Sequence, residues 1–154
     1  LEDYVQNNRV LTAPGTNPYS QQAHSMAQEI INNGMIHVDE MWGIEVPLYV
    51  SGLYAGTTDA CGVYSKEPAI MDYKQTNKPK KTEWIEDYFL QLAAYGLAHN
   101  ETHGTNIKKG VILMAVAPPP NGKSQFQTWE ISGAEWDKWT DNWLRRVEQY
   151  YKLA

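Results

Sequence analysis

The sequence holds one cysteine, Cys61, in 154 residues. A lone thiol excludes an internal disulfide, a four-cysteine zinc site and a cysteine-held iron–sulfur cluster. It fits a reducing compartment. Phenylalanine is scarce as well, with two residues against ten tyrosines and six tryptophans. The aromatic mass is thus carried by rings with a polar tip, which suit half-wet surfaces and stacking platforms as well as cores. No apolar run approaches the ~18 residues that span a bilayer, and no charged-then-apolar leader opens the chain. Residue 1 is Leu rather than Met, which leaves an earlier segment open. The full GxxxxGK[ST] loop, CxxC, HExxH and GxSxG are all absent, so phosphate-loop, dithiol, zincin and serine-hydrolase chemistry lack their usual signatures.

What is present fits a single domain over residues 1–154, long enough to bury its own core. The formal charge of −5 hides an asymmetry. Residues 1–73 carry nine acids against Arg9 and Lys66, whereas residues 74–154 carry eleven bases against nine acids. An acidic half beside a basic run is what a divalent-cation site next to a phosphate-binding loop requires.

Residues 1–16 lack periodicity and read as an irregular arm. Asn17-Pro18 has the form of an N-cap followed by a first-turn proline, and Ala23, Met26, Ala27, Ile30 and Ile31 recur at helical spacing up to Asn33-Gly34. Ile44–Val50, Ala55–Tyr64 and Ala69–Thr76 read as three successive strands. Glu83–Asn100 reads as a helix whose core stripe is Ile85, Phe89, Leu92 and Gly96. Lys109–Pro118 is a continuous apolar run, as expected of a strand buried on both faces, and the Pro118–Gly122 stretch forces a turn. Ser124–Ile131 follows as a strand. A last helix from about Gly133 to Tyr151 places Trp136, Trp139, Trp143 and Val147 on one face, read as core packing. The expected class is α/β, a mixed sheet flanked by helices in the order α-β-β-β-α-β-β-α.

Asp59 falls mid-strand in "GTTDACG", where a half-buried carboxylate is costly unless paired or bound to a cation. Asp72 poses the same problem in the next strand, and Lys74 shares its side because strand side chains alternate. If these strands pair antiparallel, two carboxylates converge on one hard cation with an ammonium alongside. An isolated Asp-x-Lys is ordinarily a surface ion pair, so the pattern draws its weight from context. Lys78, Lys80 and Lys81 follow within eight residues, and Trp84, Tyr88, Gln91 and Tyr95 recur at helical spacings of four, three and four. Such a row suits a groove wall that stacks bases, or plain interface trim.

The ordered set Asp59, Asp72-x-Lys74 and Gln91-x-x-x-Tyr95 resembles the PD-(D/E)xK nuclease superfamily in its RecB-like exonuclease branch. "GTTDACG…AIMDYKQTNKPKK…QLAAYG" is similar to the mitochondrial genome maintenance exonucleases and their phage relatives. The resemblance implies a restriction-endonuclease-like core in which Asp59, Asp72 and the main-chain carbonyl of Tyr73 hold Mg²⁺ or Mn²⁺. It makes Lys74 the catalytic lysine. His24 on the first helix and Glu45 on the first strand match further metal-site positions of the branch, although the Gly-Thr that often precedes the histidine is missing from "SQQAH". Gln91 and Tyr95 are implied DNA contacts, joined by Lys78, Lys80, Lys81 and Trp84. Lys108 and Lys109 extend the basic surface.

The expected function is therefore a metal-dependent DNA exonuclease acting on single strands or free ends in replication, recombination or repair. A structure-selective endonuclease and a noncatalytic DNA-binding module on the same fold are the competing readings. The expected setting is intracellular, the cytoplasm of a bacterium or phage-infected host before the mitochondrion, with no membrane partner.

Overall fold

The computed structural model describes residues 18–120 and 122–153. The expected N-terminal arm, the Asn17 cap and Asn121 of the proline turn lie outside the described residues. Helix α1 spans Pro18–Asn33, followed by strands β1 (Val38–Val50), β2 (Tyr54–Tyr64) and β3 (Glu67–Thr76). Helix α2 (Glu86–His103), strands β4 (Lys109–Val116) and β5 (Gln125–Ser132) and helix α3 (Gly133–Leu153) complete the chain. The order is the one read from the sequence.

The five strands form one sheet in sequential order β1-β2-β3-β4-β5. All neighbours are antiparallel except β3 and β4, whose parallel pairing needs the long crossover that α2 supplies. Every residue of β4 is buried, because it is the strand covered on both faces. Alternation along β3 sorts the side chains between two cores. Ile70 packs under α2 and α3 with Leu92, Ile112, Trp136 and Trp139, while Ala69 and Met71 pack under α1 with Met26, Ile30 and Leu113. Trp136 and Trp139 are buried and Trp143 packs against that core, so the core reading of the three tryptophans holds.

The second helix differs from expectation at both ends. A single 3₁₀ turn, Thr82–Trp84, and the non-helical Ile85 (φ −120°, ψ 20°) precede α2. The far end runs on to His103 and stops at Gly104, in left-handed backbone at φ 65° that glycine adopts without a Cβ clash. Among the described residues no helix is long and apolar enough to cross a membrane.

Candidate active site

The site begins where two strands part. The rungs between β2 and β3 run from Tyr64–Glu67 to Ala60–Met71 and stop there. One residue further on, Asp59 puts its own carboxylate into the gap, and its Oδ2 accepts the Tyr73 main-chain N–H at 3.0 Å. Side-chain alternation changes phase at the same place. Tyr54 and Cys61, of opposite parity, both pack toward α2, while Ala60 packs toward α1. On the β1 side the register sets Glu45 opposite Asp59, between the pairs Ile44–Ala60 and Val46–Thr58, and Glu45 has a left-handed backbone at φ 49°.

Asp72 lies on the α2 side of β3 and is only 6% exposed. Burial and the neighbouring Asp59 carboxyl push its pKa up to about 7, against the opposing pull of Lys74. Lys74 Nζ stands 3.1 Å from Asp72 Oδ2, at a charge-pairing distance. Among the described residues no other group pairs with that buried oxygen. The ammonium also sits over the Tyr88 ring, 4.6 Å from its centroid. Two crowded carboxylates facing one ammonium form an electron-rich pocket that a hard cation relieves. The donor set thus fits Mg²⁺ or Mn²⁺, which take one or two protein carboxylates and complete their shell with carbonyl oxygens and water.

Among the described residues no three His, Cys, Asp or Glu side chains gather as a ligand group. The exposed Glu45 does not join the pair despite its register, and His24, half-buried on α1, belongs to the helix that covers the opposite face of the sheet.

A concavity of about 460 Å³ opens from Lys74 along α2 and is lined by Tyr88, Gln91 and Tyr95. Gln91 Nε2 donates to Tyr95 Oη at 3.1 Å, so the i, i+4 pair predicted from spacing is joined. Trp84 does not continue this row, because the 3₁₀ turn and Ile85 interrupt helical phase. It is 61% exposed and packs instead beneath Lys81, whose Nζ lies 5.2 Å from the ring centroid.

The sequence reading missed what anchors the basic loop. Lys80 N–H donates to Gln127 Oε1 at 2.9 Å and Gln127 Nε2 donates back to the Lys80 carbonyl at 3.1 Å, pinning the loop to β5. Trp129 Nε1 adds a bond to Thr82 Oγ1 at 3.1 Å. A polar residue alternating with aromatics in "QFQTWEI" was the one available signal. Lys78 and Lys81 are exposed and Lys80 is half-buried. Lys109 does not extend this surface: it is 7% exposed and held between Glu67 (3.6 Å) and Glu130 (3.5 Å), at the far end of β4.

A crystal structure of a protein from Eubacterium rectale, provisionally described as an exonuclease, superposes with a TM-score of 0.61 at 16% identity. The match covers 95% of this chain and 56% of that one. The likeness shows a shared fold. Mitochondrial genome maintenance exonuclease 1 of Xenopus tropicalis is 29% identical over 104 residues, 64% of this chain and 28% of the relative. The Homo sapiens protein of that name is 28% identical over 102 residues, 63% of this chain and again 28% of the relative. The relationship is distant, and the chain spans less than a third of the length of these curated relatives. No family model matches the chain.

Proposed function

We propose that this chain hydrolyses phosphodiester bonds in DNA with the help of a divalent cation, as an exonuclease working on single strands or free ends. The observation that carries the reading is the Asp59–Asp72 pair at the parting of β2 and β3, with Lys74 Nζ 3.1 Å from one of its oxygens. The distant likeness to exonucleases supports it.

In this reading Asp59 and Asp72 hold Mg²⁺ or Mn²⁺. The main-chain carbonyl of Tyr73 assists, since a residue's N–H and C=O share one edge of a strand and the N–H already faces Asp59. His24 and Glu45 take part only through shifts that bring them to the pair. When bound, the ion supplies charge neutralisation at the scissile phosphate and a lowered pKa for a nucleophilic water. Lys74, beside Asp72, orients that water or meets the phosphate. Its ammonium, with a side chain 26% exposed, faces both the acid pair and the concavity.

Gln91 and Tyr95 contact the strand along the concavity. Lys78, Lys80 and Lys81 track its backbone, and Trp84 offers a stacking face. The overall negative charge does not oppose this, because local cations rather than net charge meet phosphates.

The test is digestion of end-labelled linear single-stranded, linear duplex and circular DNA with Mg²⁺ and with Mn²⁺. The proposal expects linear substrates to be degraded, circles to survive, and Asp72→Ala or Lys74→Ala to bring cleavage to background. Cutting of circles favours a structure-selective endonuclease. Binding without hydrolysis under both metals leaves a noncatalytic module.

A further inference from the structure

We propose that a trough continuing from the candidate active site along α3 is the track of a single DNA strand, with Trp143, Arg146 and Tyr150 as its contacts. The proposal rests on the nuclease reading above and adds the path that the substrate follows.

The concavity at Lys74 shares Tyr54, Trp143 and Arg146 with a second one, of about 410 Å³, which ends at Tyr150 and Tyr151. The two are adjacent, with these three side chains common to both walls. Aromatic rings line both. Tyr54 meets Trp143 edge to face at 5.1 Å, and Tyr150 meets Tyr151 in the same manner at 5.1 Å. The far wall is tied in place, because the Tyr151 hydroxyl reaches the carbonyls of Leu53 and Gly52 in the turn between β1 and β2.

Tyr150, on the helix tail, is 67% exposed, and Leu53, in the β1–β2 turn, is 45% exposed, an apolar display that core packing does not explain. Arg146 stands midway, its side chain 61% exposed. The Asp87 carboxylate is 3.9 Å from it, too far for a hydrogen bond, which leaves the guanidinium able to meet a phosphate.

The lining selects the occupant. Ring faces bind base faces, and those are accessible in a single strand but covered in a duplex. Duplex binding depends on many phosphate contacts, whereas this trough carries two cations, Lys74 and Arg146, and one carboxylate, Asp87. From Trp143 to Tyr150 the helix advances about 10 Å, room for roughly two to three stacked bases at ~3.4 Å each. Lys74, which lines the near concavity and stands 3.1 Å from Asp72, links this track to the acid pair.

The test measures anisotropy of labelled oligothymidylates, a short one of ~3 nucleotides and a long one of ~12, on Asp72→Asn protein, where hydrolysis is silenced. Tyr150→Ala and Arg146→Gln, added singly, should each weaken the long oligonucleotide about tenfold and the short one less than about twofold. Lys66→Gln, at the turn between β2 and β3, is the control for loss of a surface charge and should change neither. Unchanged affinity for the long oligonucleotide in both variants overturns the proposal. So does equal binding of a duplex with the same losses, or a dimer that Tyr150→Ala dissolves. The two readings fail separately. Absence of hydrolysis by the unmodified chain defeats the nuclease reading and leaves the binding comparison standing, whereas intact hydrolysis with unaltered binding defeats the trough alone.

Discussion

Asp59 Oδ2 accepts the Tyr73 main-chain N–H at 3.0 Å, one step beyond the last rung between β2 and β3. A side chain thereby replaces a backbone carbonyl as the ladder's next acceptor. Asp59→Ala removes that acceptor and should cost about 1–2 kcal/mol in urea denaturation. Asp59→Asn keeps a carbonyl acceptor and should retain most of the stability. Equal losses in the two variants would show that the bond contributes nothing.

Asp72 is the complementary case, a residue that the fold tolerates rather than needs. Its carboxylate is buried next to another, and beyond Lys74 no group among the described residues pairs with one of its oxygens. A neutral amide of the same shape removes both the desolvation cost and the repulsion. Metal-free Asp72→Asn should therefore melt higher than the unmodified chain, by roughly 2–4 °C per kcal/mol gained in a domain of this size, while losing all cleavage. A lower melting temperature would mean that the Lys74 pairing outweighs the crowding.

Gly56 has a role that only the packing reveals. A Cβ built there would stand 2.6 Å from Tyr95 Cε1, so Gly56→Ala must displace the ring that Gln91 holds. The expected result is a cost of about 1–3 kcal/mol together with weaker oligonucleotide binding. Tyr95→Phe, which keeps the ring and drops the Gln91 bond, should lose less binding. Wild-type binding by Gly56→Ala would remove Tyr95 from the contact surface.

These residues show which parts of the site were legible in sequence. Asp72 and Lys74 were, because a period of two fixes their common side wherever β3 begins. Gln91 and Tyr95 were, because i and i+4 share a helical face. Trp84 was misplaced, since spacing alone does not reveal the 3₁₀ turn that breaks phase before Glu86. Lys109 looked like basic surface, and its burial between Glu67 and Glu130 depends on two strands far apart in the chain. Gln127 and the Trp143–Tyr150 face were invisible for the same reason. Their partners, Lys80 for one and Tyr54 for the other, lie 47 and 89 or more residues away.

His99 gives the fold a pH dependence. The ring is 5% exposed, its Nδ1 lies 2.7 Å from Thr105 Oγ1, and that hydroxyl donates to Asn100 Oδ1. Nδ1 therefore carries the proton, and further protonation must occur at Nε2. Burial first, and His103 second, lower its pKa below the ordinary value of 6.5. The unfolded chain then takes up the proton more readily, so the stability is fully present above pH ~6.5 and is lost as pH falls through the depressed folded value. Urea midpoints should drop between pH ~7.5 and ~5.5 more steeply for the unmodified chain than for His99→Gln. Parallel pH curves would contradict this assignment.

The most direct measurement is Mn²⁺ binding, read from the loss of the free-ion paramagnetic resonance signal, in the unmodified chain, Asp59→Asn and Asp72→Asn. Shared ligation by the two carboxylates predicts one competent ion site, weakened tenfold or more, about 1.4 kcal/mol or greater, by either substitution. Mn²⁺ affinity unchanged in both variants would show that the acid pair does not hold the metal.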